Sequence, residues 1–372
     1  ERQLTSSQQY GILYQDDYME LTGSKVVTVE KDFDILKHVE AGDFVISMRS
    51  FQGGLEYSTK SGAISSAYIM LVPNLELVYP RFYRWLLKSS VYIDALQRTT
   101  NMVRDGQAMR YSNFAQVRLF TLPLDEQKSR ADFLDLECSS IDKILFKTRS
   151  SIEEYKKLKQ AVITQAVTKG VRGERKMKDS GVEWIGKVPS KWNCIKIKYL
   201  FEIRKRIAGK EGYTVLSITQ TGIKPKNISS NEGQLADSYS NYQLLHFGEF
   251  AMNHMDLLTG WVDISNYNGV TSPDYRVFSL KDTITNHPRY FLYLMQMCYF
   301  NRIFYSMAQG VSNLGRWRLQ SDKFLNCIFP VPSIEEQKEI SDYLDTTCSE
   351  IDKLIAKKEQ LVKELESYKK SL

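Results

Sequence analysis

The chain has 372 residues, 42% of them hydrophobic and 25% charged, with a formal net charge of +6. That length holds two or three domains, and the apolar fraction excludes an intrinsically disordered chain. The longest apolar cluster, YFLYLMQMCYF (290–300), is too short to span a bilayer, no secretory signal is visible, and five cysteines lack metal-ligand spacing, so a cytoplasmic protein with reduced thiols is expected.

Along the chain, Val26–Val29, Phe44–Ile46 and Tyr68–Val72 have the β-branched and aromatic content of strands. Pro80 opens an apolar helix carrying Trp85, Leu86 and Tyr92. A polar, arginine-bearing loop follows, RDGQAMRYSN (104–113), then strand-like LFTLP. After Pro123 comes an acidic first turn and about 40 residues without Gly or Pro, the signature of one long helix. Its end runs into a basic connector with Lys169, Arg172, Arg175, Lys176 and Lys178, where phosphate contact is plausible but unspecific. The same order then returns: short strands, an apolar helix after Pro288 with Leu292, Leu294 and Tyr299, a loop at 309–320, strand-like CIFPVP, and a second long helix after Pro332. The expected layout is a first recognition-type domain at 1–124 with an incomplete N-terminus, a spacer helix at 125–168, a linker at 169–180, a second domain at 181–332 and a second spacer helix at 333–372.

The chain is thus an internal repeat. EQKSRADFLDLECSSIDKIL (126–145) returns as EQKEISDYLDTTCSEIDKLI (336–355), 210 residues later. GDF (42–44) matches GEF (248–250), GAISSAY (62–68) matches GVTSPDY (269–275), YPRFYRWLL (79–87) matches HPRYFLYLM (287–295), and QQYGILYQ (8–15) is set against GYTVLSIT (212–219). Both long helices carry a seam in 4-3 steps: Leu134, Cys138, Ile141, Leu145, Ile152 and Tyr155 in one, Leu344, Cys348, Ile351, Ile355, Val362 and Leu365 in the other. A period of 3.5 predicts helices that pack along their length on each other. The expected fold is α/β (α+β): two similar globular domains, a pseudo-twofold repeat, separated by two long antiparallel coiled-coil helices. A 40-residue helix is about 60 Å long, which caps the separation of the domains at roughly 17 base pairs of duplex.

No catalytic constellation is present: no phosphate-binding glycine loop, no His-Glu-x-x-His, no paired Cys-x-x-Cys, and no metal site. The four histidines are scattered, and His254 in AMNHMD reads as a structural histidine rather than a ligand contact. The chain is therefore read as a non-catalytic binding protein. Arginine-bearing loops at equivalent places in the two halves give the leading candidates for DNA contact: Arg104, Arg110 and Asn113 in the first, Asn313, Arg316 and Arg318 in the second. Arginine forks suit phosphate oxygens and the guanine edge. Lys224, Lys226, Asn227 and Ser229 in ITQTGIKPKNIS (218–229), and the run Arg204, Lys205, Arg206, complete the set. The rival reading is a coiled-coil scaffold that joins two protein partners and binds no DNA.

The stretches TLPLDEQ (121–127), DSGVEWIGKVPSKW (179–192) and FPVPSIEEQKEISDYLD (329–345) occur in the order found in the specificity subunits of type I restriction–modification systems, which the chain closely resembles over nearly its whole length. The resemblance departs where the first half lacks a Trp-Ile-Gly-type start. It implies a subunit without chemistry of its own that reads a bipartite, asymmetric DNA site. It also implies partners: double-stranded DNA, two modification subunits that use S-adenosylmethionine to methylate adenine, and restriction subunits as further candidates.

Overall fold

A computed structural model describes residues 1–7, 10–26, 33–47, 55–99, 111–227, 236–311 and 316–372. Two compact units emerge, one of residues 1–147 with 361–372, the other of residues 148–360.

The first unit begins with a hairpin, β1 (Leu4–Ser7) and β2 (Gly11–Tyr14), and a short helix α1 (Gln15–Thr22). The strands β3 (Lys37–Val39), β4 (Phe44–Ser47), β5 (Leu55–Tyr57), β6 (Gly62–Ile64) and β7 (Tyr68–Leu71) follow, with β3 on β6 and a three-stranded sheet ordered β5-β4-β7. Helices α2 (Pro80–Leu86), α3 (Ser90–Gln97) and α4 (Tyr111–Phe114) lead into α5 (Leu124–Lys169). Phe44, Ile46, Phe82, Tyr83, Tyr92 and Leu96 form the core, and Ala131 of α5 joins it.

The second unit opens with β8 (Met177–Asp179), β9 (Lys187–Pro189) and β10 (Asn193–Lys196), then α6 (Ile197–Leu200) and β11 (Phe201–Arg204). A hairpin of β12 (Leu216–Thr219) and β13 (Gly222–Pro225) comes next, then β14 (Gln243–Leu245), β15 (Phe250–Met252), β16 (Val262–Ile264), β17 (Gly269–Thr271) and β18 (Arg276–Leu280). Helices α7 (Pro288–Phe300) and α8 (Ile303–Ser306), the hairpin β19 (Gln309–Val311) and β20 (Arg316–Arg318), α9 (Ser321–Asn326), β21 (Ile328–Val331) and α10 (Ile334–Ser371) complete the chain. The central sheet is ordered β11-β18-β15-β16, and β14 lies on β17. Phe201 centres the core, with the rings of Phe250, Phe278 and Phe291 5.3–5.4 Å away.

Strand pairings confirm most of the repeat and correct one part of it. β4 matches β15, β6 matches β17, and β3 on β6 matches β14 on β17. A parallel bridge joins Gln3 to Ala63, and its counterpart joins Val215 to Val270. The counterpart of β12 is therefore β1, and β13 corresponds to β2, so residues 3–7 rather than 8–15 align with 215–219. The hairpins have turns of different length, which moved the alignment by one strand. Buried pairs Leu4/Leu216 and Ile12/Ile223 hold the corrected register. Val27–Val29 lie outside the described residues.

Neither long helix contains Gly or Pro, and each has acidic residues in its first turn and lysine in its last. In α5 the protected positions run Gln127, Ala131, Leu134, Cys138, Ile141, Leu145, Thr148, Ile152, Tyr155 and Lys159; in α10 they run Gln337, Ser341, Leu344, Cys348, Ile351, Ile355, Lys358, Val362, Leu365 and Lys369. The steps of three and four are identical. Leu134, Tyr155, Ile355, Val362 and Leu365 are half-buried, and the other expected seam residues are buried. Thr148 and Lys159 occupy seam positions that an apolar pattern cannot reveal, and Lys358 and Lys369 fill the gaps in the 4-3 steps of the second helix. In the second unit Tyr155 meets Lys358 and Lys159 meets Asp352, so the helices run antiparallel. Lys159 pairs with Asp352 at 2.6 Å in the second unit; the repeat mates, Lys369 and Asp142, pair at 2.5 Å in the first.

Each long helix is pinned by the glutamine of the Pro-x-x-Glu-Gln-type start. Gln127, fully buried, accepts from Tyr79 N (2.7 Å) and donates to Leu77 O and Leu122 O (2.9 and 2.7 Å). Gln337, equally buried, accepts from His287 N (2.8 Å) and donates to Thr285 O and Pro332 O (3.3 and 3.0 Å). In both units one side chain ties the entry of the apolar helix to the entry of the long one. Among the described residues no helix is long and apolar enough to cross a membrane.

Candidate nucleic-acid interface

Two hairpins of the second unit carry candidate residues. In the first, Thr219 faces Gly222 across the turn; Gly222 has φ 105°, and a Cβ there would lie 2.9 Å from Asp263 Oδ2. Glycine is the residue that fits such a backbone. Asp263 accepts from Ile223 N at 3.2 Å and holds the hairpin to the sheet. Lys224 and Asn227 are exposed, and Lys226 is half-buried with its N donating to Val215 O. Ser229 lies outside the described residues.

The second hairpin, β19–β20, sets Gln309 opposite Arg318 and Gly310 opposite Trp317. Arg318 is exposed and makes no ion pair among the described residues; Trp317 packs 4.7 Å from the Tyr305 ring. Asn313, and the side chain of Arg316, lie outside the described residues. Buried Leu319 anchors the hairpin. Its N donates to His254 O (3.0 Å), and its O accepts from Arg276 Nη2 (2.9 Å). Burial pushes the Arg276 guanidinium down to about 10. Burial, then the charges of Arg276 and Arg318, push His254 down to about 3, so its imidazole is neutral at neutral pH.

A loop at 253–260 touches both hairpins. Gln220 Nε2 at the first tip donates to Thr259 O (3.4 Å), and His254 receives Leu319 at the base of the second. Asn253 and Asp256 shape this loop by accepting from backbone N–H groups two and three residues on. Of this loop the sequence singled out only His254; the signal for its shape was the Asn-x-x-Asp turn between β15 and β16.

The basic run at 204–206 does not act as a unit. Arg204 donates to Ser279 Oγ (3.0 Å) and pairs with Glu202 (3.1 Å), and Arg206 pairs with the mostly buried Glu249. Lys205, on the opposite side of the strand path, is exposed without an ion pair among the described residues. The connector is also largely committed inside the unit. Arg172 forks onto Glu339 (2.7–2.8 Å), and Arg175 pairs with buried Glu336 (2.5 Å) and stacks over Trp192. Lys169 donates to Ile185 O and Lys187 O. Gly170 ends α5 with φ 79°, and any Cβ there would collide with the Arg175 guanidinium. These cations fasten α5 to the start of α10; they are not a spare phosphate-binding stripe.

In the first unit, Arg104 and Arg110 lie outside the described residues. Asn113 donates to Thr99 O (2.5 Å), joining α4 to the end of α3. Among the described residues no group of three His, Cys, Asp or Glu is placed to hold a metal ion.

Residues 189–364 match the family profile of the type I restriction modification DNA specificity domain. The type I restriction enzyme MjaVIII specificity subunit of Methanocaldococcus jannaschii is 22% identical over 350 residues, covering 90% of this chain and 78% of that protein. The chain is thus similar, over most of its length, to specificity subunits of type I restriction–modification systems. The fold agrees. A chain from a structure described as explaining complex assembly and conformational transition of the type I R-M system superposes with a TM-score of 0.68 at 14% identity, over 90% of this chain and 81% of that one. The HsdS subunit from Thermoanaerobacter tengcongensis gives 0.50 at 13% identity, over 90% and 80%.

Proposed function

We propose that each α/β unit of this specificity subunit reads one half of a bipartite, asymmetric DNA site, while the long helices dock the modification subunits. The match of residues 189–364 to the DNA specificity domain and the likeness to a type I specificity subunit support a sequence-specific DNA-recognition subunit rather than a catalytic one. The observation that carries the two-headed reading is the repeat itself. Gln127 and Gln337 make the same three hydrogen bonds in two units, yet the loops mounted on that frame, QAMRYSN and VSNLGRWRLQ, differ. One frame with different contact residues suits two different half-sites, as in other bipartite readers. S-adenosylmethionine belongs to the partner modification subunits on this reading, adenine is the methylated base, restriction subunits are further partners, and the complex works in the cytoplasm.

The test is motif-resolved sequencing of methylated DNA from cells that make this chain with its modification subunits. A split motif with two unlike halves is expected, and exchanging residues 309–320 should change one half only. A continuous or palindromic motif, or a swap that alters both halves, would refute the reading. Loss of an arginine that forks onto a guanine should cost about 1–3 kcal/mol.

A further inference from the structure

We propose that the base of the β19–β20 hairpin in the second unit is a binding site for one phosphate of the DNA backbone, with Arg318 as the contact and buried Arg276 and His254 as its positioning wall. This deepens the DNA-reading function above and rests on it.

Two guanidinium groups and a neutral imidazole meet around Leu319, with no carboxylate ion-paired to either arginine among the described residues. Arg276 is 3% exposed. Its Nη2 donates to Leu319 O (2.9 Å) and Ser321 Oγ (3.3 Å), and its guanidinium lies 4.7 Å over the Phe324 ring. None of these partners is an anion, and no carboxylate pairs with it among the described residues. Arg318, next to the Leu319 that Arg276 holds, is exposed and likewise without an ion pair among the described residues. His254 is 7% exposed, and its Nδ1 has no hydrogen-bond partner among the described residues. The carboxylate of Asp256, in the same loop, accepts from Leu258 N, Thr259 N and Thr259 Oγ1.

A buried cation is costly unless paired, and the two guanidinium groups repel one another while the imidazole beside them stays neutral. Every acceptor that Arg276 uses among the described residues is neutral, so the positive potential at this point is left over. An anion arriving from outside relieves it. The shape of the site selects a phosphate: an exposed fork in front, a fixed cation behind, and a hairpin whose backbone is clamped at Leu319. The repeat did not advertise the site, because Arg276 lies in a strand and reads there as an ordinary β18 residue.

The test uses the full chain with its modification subunits. Arg318→Ala should lower the slope of log K against log salt for specific DNA by about 0.9, the share of one phosphate contact. It should also abolish the extra thermal protection that inorganic phosphate gives over chloride at equal ionic strength. Arg318→Lys should restore most of the salt slope. Arg276→Lys, which keeps the charge but loses the fork onto Leu319 and Ser321, should weaken phosphate protection without abolishing it. An unaltered slope in Arg318→Ala with specific binding intact overturns the site and leaves the DNA reading standing. Phosphate protection that depends on Arg318 in a complex with no sequence-specific DNA binding sustains the site and sinks the DNA reading. Protection that survives Arg318→Ala marks an adventitious ion only. Loss of modification-subunit binding in place of DNA affinity would assign the cluster to a protein carboxylate and overturn the proposal.

Discussion

In the second unit Glu336 is 5% exposed, accepts from Trp192 Nε1 (3.0 Å) and pairs with Arg175; its repeat mate in the first unit, Glu126, is partly exposed and pairs with Arg130 one turn along its own helix. The neighbouring strands differ in the same way. β21 is paired with β10, and Phe329 is fully buried, whereas residues 118–121 form no strand, and Leu119 and Phe120 are exposed. The helix-start motif is the same in both units. It therefore dictates the glutamine network but not the environment of the glutamate, which depends on what a distant segment, 175–196, brings to it.

The largest effect should come where the two units agree. Ile141 and Ile351 are repeat mates, both buried in the helix seam. Aspartate at either position should cost about 3–5 kcal/mol, from lost burial and a carboxyl forced into an apolar seam. Denaturant unfolding with hydrogen-exchange readout on α5 and α10 measures it. A cost below about 1 kcal/mol at either site would mean that the helices do not pack there. Next come Gln127→Leu and Gln337→Leu. Each removes three hydrogen bonds and leaves backbone groups unsatisfied, at roughly 3 kcal/mol. Protection of 80–97 should fall in the first variant and of 288–300 in the second, by similar amounts.

Those two features also mark what the sequence made legible. A helix that repeats every 3.5 residues announces itself, because seam positions need only be apolar and regularly spaced. Glutamine at the second start position was visible as a motif, but its three bonds were not, since two of its three partners lie about 50 residues upstream. Lys358 and Lys369 were visible as gap-fillers in the 4-3 steps, but the aspartate partners were not: Lys159 meets Asp352 and Lys369 meets Asp142 from the other helix, a pairing no single helix encodes. The candidate site was least legible. Basic residues were found by type, yet Arg172, Arg175 and Arg206 turned out to be committed to carboxylates supplied by α10 and β15 or its flank. Net charge counts cations without saying which have been neutralised nearby, whereas Arg276, hidden in a strand, was passed over and has no carboxylate partner among the described residues.

A smaller effect sharpens the contrast between the glutamates. Trp192→Phe removes the indole donor from Glu336 and should destabilise the second unit by about 1–3 kcal/mol. Glu126→Gln in the first unit should stay within about 0.5 kcal/mol, because its ion pair is exposed. Equal effects would show that burial of Glu336 does not matter.

The smallest expected difference is in pH dependence, and it has opposite sign in the two units. Burial beside Arg276 and Arg318 holds His254 at about 3, well below its ordinary 6.5, so the stability tied to its neutral form is present above pH 6.5 and is lost as pH falls toward 3. The unfolded chain takes up that proton first, so moving from pH 7 to pH 6 should cost the second unit roughly 0.5–1 kcal/mol. His287, also lowered by burial, adds to the same trend. In the first unit His38 bonds to Glu40 and Glu1, which raise it; that contribution is present below pH 6.5 and is lost as pH climbs through the raised value, though its exposure to solvent screens it. Mild acid should therefore loosen exchange protection on β15 and β18 while leaving β3 and β6 unmoved, and His254→Asn should flatten the response of the second unit. If instead β15 and β18 hold equally well at pH 6 and pH 7.5, the imidazole accepts its proton in place, and the Arg276 cluster must already have found an anion to balance it.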